Sequence, residues 1–192
     1  MPLAEFDFVS PPDVIGTATA FLGGHIQLDP ASSDAANTVV CADRYFTPTH
    51  NGLRQLWNAD SVYLYPPRDL LYNKEQPPDL ALFRKTKRFK RSAQRVWLEE
   101  AVRKYKRQEF NEAIIFITST DVALRVTQQI GLDLPMCILR DTPEIYIDTP
   151  ELEKLKNTRC HGFIFYIPHY LNTELRLYEF QNMFSELGRV FV

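Results

Sequence analysis

Two short stretches of the chain end a strand-like run on residues able to do chemistry. Leu28-Asp29-Pro30-Ala31-Ser32-Ser33 places a carboxylate and two hydroxyls where an Asp-Pro pair starts a turn. Leu64-Tyr65-Pro66-Pro67-Arg68 closes a second strand on two prolines, which by themselves say only that the strand stops. A third stretch is a block of charge. Arg84, Lys85, Lys87, Arg88, Lys90, Arg91, Arg95, Arg103, Lys104, Lys106 and Arg107 are eleven of the 22 basic residues, offset locally only by Glu99 and Glu100. The segment therefore carries +9 and the remainder of the chain −11, although the net charge is −2. A local field of that kind attracts a polyanion, and nucleic acid is the commonest one in a cytoplasm. A solvated helix face or a surface for an acidic protein partner is the alternative use of the same charges. Other chemistries lack their residues. Cys41, Cys137 and Cys160 are odd in number without CxxC spacing, which reads as reduced thiols with neither a disulfide framework nor a zinc site. No Ser-His-Asp or Cys-His arrangement is evident, and His161 and His169 flank a strand as lone histidines.

The elements that must position these residues follow from punctuation and periodicity. Ser10-Pro11-Pro12-Asp13 opens a helix from Val14 to Leu22, closed by Gly23-Gly24. His25 to Asp29 and Ser61 to Tyr65 read as strands, with Ala31 to Ala42 a loop or short helix between them. The stretch over about 66–96 loses apolar periodicity and reads as a long exposed basic excursion. Val96, Leu98, Ala101, Val102 and Tyr105 then space as a helix. Ala113 to Ile117, Met136 to Leu139 and Gly162 to Ile167 are apolar throughout, as strands buried on both faces of a parallel sheet are. Thr120 to Gln129 predicts a helix capped by Ser119 or Thr120, and Thr173 to Leu187 another, with Gly188 terminating it. Alternating strands and helices predict one α/β domain of three layers, Rossmann-like, with a mostly parallel central sheet. Ligands of such sheets bind beyond the carboxyl ends of the strands, which directs attention to the residues after Leu28 and Leu64.

With 192 residues, 45% hydrophobic and 24% charged, the chain has the size and composition of one soluble globular domain. A disordered chain, a collagen and a coiled coil are excluded, and no window approaches the ~18 apolar residues of a membrane span. Met1 to Phe8 carries two acids and no base, unlike a secretory or transit peptide, so a cytoplasmic location is expected.

The ordered motifs resemble those of the phage-type DNA adenine methyltransferases, the Dam-like proteins of phages and prophages. The resemblance is carried by Ser10-Pro11-Pro12, Leu28-Asp29-Pro30-Ala31-Ser32, Cys41-Ala42-Asp43-Arg44-Tyr45-Phe46-Thr47, Asn51-Gly52-Leu53 and Trp57. Tyr65-Pro66-Pro67-Arg68 stands where the family has Asn-Pro-Pro-Tyr, and Trp97 and the later strands also fall at family positions, so the likeness covers roughly residues 10–168. It implies S-adenosylmethionine as cofactor and adenine in DNA as substrate. Pro11, Asp29, Pro30, Ala31 and Ser32 would then line the cofactor pocket, small residues letting the backbone approach the ligand; a plain helix start and a helix cap account for the same residues. Tyr65, Pro66, Pro67 and Arg68 would be the catalytic element, and Arg84, Lys85, Lys87, Arg88, Lys90, Arg91 and Arg95 the nucleic-acid contacts. No metal is implied.

The catalytic element departs from the pattern at both ends. By resemblance its first residue accepts a hydrogen bond from the target amine, and its last stacks on a flipped base. A Tyr65 hydroxyl lies several ångströms further out than an Asn oxygen, and Arg68 adds a cation beside a sulfonium centre. Weak or absent adenine methylation is therefore expected. The alternative is an inactive pseudo-methyltransferase retained as a DNA-binding or regulatory module of a phage or mobile element. For Tyr65 itself, the plainer reading is an aromatic packed at the end of a buried strand.

Overall fold

The computed structural model describes residues 8–67, 92–147, 160–171 and 173–192. Its elements in chain order are β1 (Phe8–Val9), α1 (Pro12–Phe21), β2 (Leu28–Asp29), α2 (Asp34–Val40), β3 (Arg44–Tyr45), β4 (Ala59–Leu64), α3 (Ala93–Lys106), β5 (Phe110–Ile117), β6 (Met136–Leu139), β7 (Tyr146–Ile147), β8 (Phe163–Ile167), α4 (Thr173–Phe184) and β9 (Gly188–Phe191). Seven strands form one sheet in the order β3-β2-β4-β5-β8-β6-β9, while β1 and β7 pair separately.

The sequence sets the helix boundaries locally. Pro12 sits in the first turn of α1, and Gly23 and Gly24 leave it with left-handed φ of 89° and 93°. Ser33 caps α2 by accepting the Ala36 N–H at 2.9 Å, and Ser92 caps α3 by accepting that of Arg95 at 3.3 Å. Alternate residues of the central strands enter two cores. Val62, Leu64, Ala113, Ile115, Phe163 and Phe165 face α3, while Tyr63, Tyr65, Ile114, Phe116, Ile164 and Tyr166 face α1 and α4. Helices cover both faces of the sheet, as the three-layer reading requires.

The sheet is mixed, which corrects the expectation of a mostly parallel one. The β2–β3, β2–β4 and β4–β5 pairs are parallel; β5–β8, β6–β8 and β6–β9 are antiparallel. A run such as Phe163–Ile167 is apolar because helices cover both its faces, and that burial is blind to strand direction. Two further expectations shift. Val122–Val126 is a π-helical turn followed by a 3₁₀ turn at Thr127–Gln129, with the Ser119 hydroxyl accepting the Val122 N–H at 3.4 Å. Gly188 opens β9 instead of ending a helix at Leu187, and a Cβ there would stand 1.9 Å from the Ile138 carbonyl oxygen. Residues 68–91, which hold most of the expected excursion, lie outside the described residues.

Candidate functional site

The order of the parallel strands creates one special place. From β2 the chain passes through α2 to β3 on one side, then returns to β4 on the other side of β2. The helix after β2 packs on the α1 face, whereas α3, which leads from β4 to β5, packs on the opposite face. The carboxyl ends of β2 and β4 therefore flank the topological switch point, where sheets of this kind carry their binding crevice. Asp29-Pro30-Ala31-Ser32 and Tyr65-Pro66-Pro67 are the residues that leave those two strand ends.

On the β2 side the turn is held from three directions. The Ala31 N–H donates to Asp29 Oδ1 at 3.1 Å, tying the turn to its own first side chain. The Phe46 N–H donates to the Asp29 carbonyl at 3.0 Å, and the Ser32 N–H donates to the Phe46 carbonyl at 2.9 Å. Gly52 fixes the third side, since a Cβ there would lie 1.9 Å from the Pro30 carbonyl oxygen and 3.1 Å from the Trp97 indole. Behind it, the Trp57 indole N–H donates to the Gly52 carbonyl at 2.8 Å, and the two tryptophan rings stack with centroids 6.4 Å apart. Asp29 and Ser32 are buried, Ala31 is half-buried, and the Ser32 hydroxyl has no hydrogen-bond partner among the described residues.

On the β4 side two tyrosines point toward the α1 layer. The Tyr65 ring is buried, its centroid 4.9 Å from that of Phe116, and Pro66 is buried beside it while Pro67 is half-exposed. Tyr63 is fully buried. Burial, above all, holds its hydroxyl well above the ordinary tyrosine range; Ser10 pulls it down, and the charges of Asp29, Tyr65 and Asp13 push it further up. That pattern of influence shows Ser10, Asp13, Asp29, Tyr63 and Tyr65 sharing one neighbourhood, although Ser10 and Tyr63 form no hydrogen bond of regular geometry. Ser10 and Pro11 are buried where α1 begins while Pro12 is exposed, and the influence of Ser10 on Tyr63 sets the start of α1 beside the β4 strand. Arg68 lies outside the described residues.

The basic segment divides. Arg84, Lys85, Lys87, Arg88, Lys90 and Arg91 lie outside the described residues. Arg95 is described, and its guanidinium is engaged by Glu99 at 2.9 Å and by Gln129 at 3.3 Å. Arg103 pairs with Glu100. Lys104 is buried, donating to Glu109 at 2.8 Å and to the Gln55 carbonyl at 2.6 Å. Three of the five described cations are thus paired within the fold. Trp97 and Tyr105 pack in the α3 core, the Tyr105 hydroxyl donating to the Pro168 carbonyl at 2.8 Å. All three cysteines are free thiols, and among the described residues no group of three His, Cys, Asp or Glu gathers to hold a metal. No described helix is long and apolar enough to cross a membrane.

Sequence reading missed Gln94, Tyr63 and the role of Gly52. Gln94, fully buried, accepts the Thr118 and Ser119 N–H groups at 3.1 and 2.8 Å and donates to the Thr118 hydroxyl at 2.9 Å. It ties the start of α3 to the end of β5, next to the Tyr65 end of β4, and so fixes where the chain returns after residue 91. A polar residue inside an apolar helix face was the available signal.

No family model, curated protein or solved structure matches this chain. The resemblance to phage-type adenine methyltransferases rests on the quoted motifs alone.

Proposed function

We propose that this chain is an S-adenosylmethionine-binding, DNA-engaging methyltransferase-like protein whose transfer to adenine is weak or lost. One observation carries the reading. Three elements separated by up to 55 positions in the sequence (Ser10–Pro11, Asp29–Ser32 and Tyr65–Pro67) meet at the single switch point of the sheet, where an α/β fold binds its ligand. The residues there suit the cofactor. Ala31 and Ser32 are small, Gly52 lets a covering loop lie against Pro30, Asp29 supplies negative charge, and the buried Ser32 hydroxyl lacks a partner that a ligand could provide. When bound, the cofactor would supply an electrophilic methyl group.

The chain's own residues make the acceptor side poor. Tyr65 presents its ring to Phe116 and not to solvent, so a base has no aromatic face or amide oxygen to meet at that position. Pro66 still follows the strand end, where its carbonyl retains the family's second acceptor. This packing of Tyr65 is also what favours the second reading, a pseudo-enzyme that keeps the crevice and engages DNA without methylating it.

Transfer of labelled methyl from S-adenosylmethionine to mixed-sequence duplex DNA separates the readings. Labelling well below one methyl per chain per minute, with cofactor bound, is the expected result. Robust turnover would refute the impaired acceptor, and absence of cofactor binding together with absence of transfer would refute the proposal.

A further inference from the structure

A cleft of about 430 Å³ opens between the last turns of α3 and the turn at Gln129–Ile130, with Glu99, Arg103, Lys106 and Arg107 on its walls. It lies at the opposite end of the sheet from the crevice. Gln94, at the start of α3, contacts Thr118 beyond the end of β5, while Tyr105, near its finish, contacts Pro168 beyond the end of the antiparallel β8. The helix between the two ends, 14 residues, is about 20 Å long.

Two of the three cations in this cleft, Lys106 and Arg107, have no acidic partner among the described residues. Its one acid, Glu99, is taken by Arg95 at 2.9 Å. Arg103, exposed, engages Glu100 through one guanidinium nitrogen. Lys106 reaches only a backbone carbonyl, that of Ile130, at 3.5 Å, and the Arg107 side chain has no acidic partner among the described residues. Cations in a last helical turn often serve to offset the helix dipole. Here the carbonyls of Arg103, Lys104 and Tyr105 already accept the N–H groups of Arg107, Gln108 and Glu109 at 2.8–3.2 Å, so the end is capped without help from side chains. Lys106 and Arg107, with the exposed and singly paired Arg103, line a concave surface with apolar walls at Val102 and Ile130, a combination a phosphate group can use.

We infer that this cleft is a phosphate-binding site and that it takes the sugar-phosphate backbone of duplex DNA at the far end of α3 from the switch point. The inference rests on the DNA-engaging part of the function proposed above and not on its cofactor part. Phosphodiesters along one strand repeat every ~3.4 Å, so the length of α3, about 20 Å, matches about six steps of duplex. The contact carries no sequence information; it sets the orientation of the duplex.

The test measures fluorescence anisotropy of a labelled 30-base-pair duplex with the full chain at several salt concentrations. Lys106→Glu/Arg107→Glu is compared with the wild type and with Arg140→Glu/Arg189→Glu, an equal change of charge at exposed residues on the β6–β9 edge. The expected result is about tenfold weaker binding for the cleft variant and a log K against log salt slope flatter by about two, with the edge variant within about twofold of wild type. Equal behaviour of the two variants would overturn the site while leaving DNA binding standing. Failure of the wild type to bind duplex would overturn the DNA reading itself. Inorganic pyrophosphate titrated calorimetrically identifies the source of phosphate. Binding that disappears in the cleft variant, with duplex affinity unchanged, would assign the cleft to a small phosphate ligand and overturn the DNA assignment.

Discussion

Polar groups end differently in the two halves of the sheet. In the half where β8 runs antiparallel to β5, Glu112 accepts the Tyr166 hydroxyl at 2.8 Å and the Arg176 guanidinium at 2.8–3.1 Å. Arg176 continues to the Phe21 carbonyl at 2.9 Å and lies 3.9 Å over the Phe21 ring, so the network closes on itself. In the parallel half, Ser32 and Tyr63 bury hydroxyls that have no hydrogen-bond partner among the described residues, and Asp29 is buried beside them. An unmade buried hydrogen bond costs about 1–3 kcal/mol, whereas a completed charged network stabilises. The contrast is confined to the α1 face of the parallel half, since on its α3 face Lys104, Glu109 and Gln94 are bonded; under the proposed function the two open hydroxyls lie where a ligand would bind.

The largest effect should come from breaking the closed network. Glu112→Ala removes the acceptor shared by Tyr166 and Arg176, leaves the half-buried guanidinium to Glu179 and the Phe21 carbonyl, and should cost about 2 kcal/mol in chemical denaturation, with cofactor affinity unchanged in the fraction that remains folded. An equal loss of cofactor affinity would erase the division between the halves. Next, Gly52→Ala drives a methyl group into the Pro30 carbonyl, and the turn from Asp29 to Ala31 must move. Calorimetry should show S-adenosylmethionine binding weakened at least tenfold, or about 1.4 kcal/mol. Unchanged affinity would place the ligand elsewhere.

Tyr63→Phe removes an unsatisfied hydroxyl without opening a cavity, and the free protein should gain up to about 1 kcal/mol. A loss of that size would show the hydroxyl to be bonded in solution. The smallest effect lies in the antiparallel half. Burial pushes the Cys137 thiol up to about 12 from an ordinary value near 9, so the folded state favours the protonated form. Its contribution is complete below pH 9 and is lost as pH rises from there toward 12. The loss should stay below about 1 kcal/mol at pH 9.5 and disappear in Cys137→Ala. A melting temperature that falls equally in both proteins between pH 8.5 and 9.5 would remove Cys137 as the cause.

The candidate site was legible where local chemistry and spacing suffice. Prolines, glycines and serines placed α1 and the cap of α2, and apolar runs located β4, β5, β6 and β8. Strand direction was not legible, because Phe163–Ile167 is apolar on both faces whichever way it runs. Two-residue strands such as β3 and β1 are too short to show a period. The charge block was visible, but its division was not. Whether Lys104 is a solvated cation or the buried partner of Glu109 depends on which turn of α3 faces the sheet, and a sum of charges does not contain that. The α/β reading already pointed to the residues after Leu28 and Leu64, whereas the part of Ser10 was expected only through resemblance, since it depends on where α1 begins in the fold.

Calorimetric titration of the wild-type chain with S-adenosylmethionine, in the absence of DNA, tests the central claim most directly. The switch-point crevice predicts binding in the micromolar range, abolished or weakened at least tenfold by Gly52→Ala. No heat of binding up to millimolar cofactor would contradict it and would leave the crevice as a fold feature without its ligand.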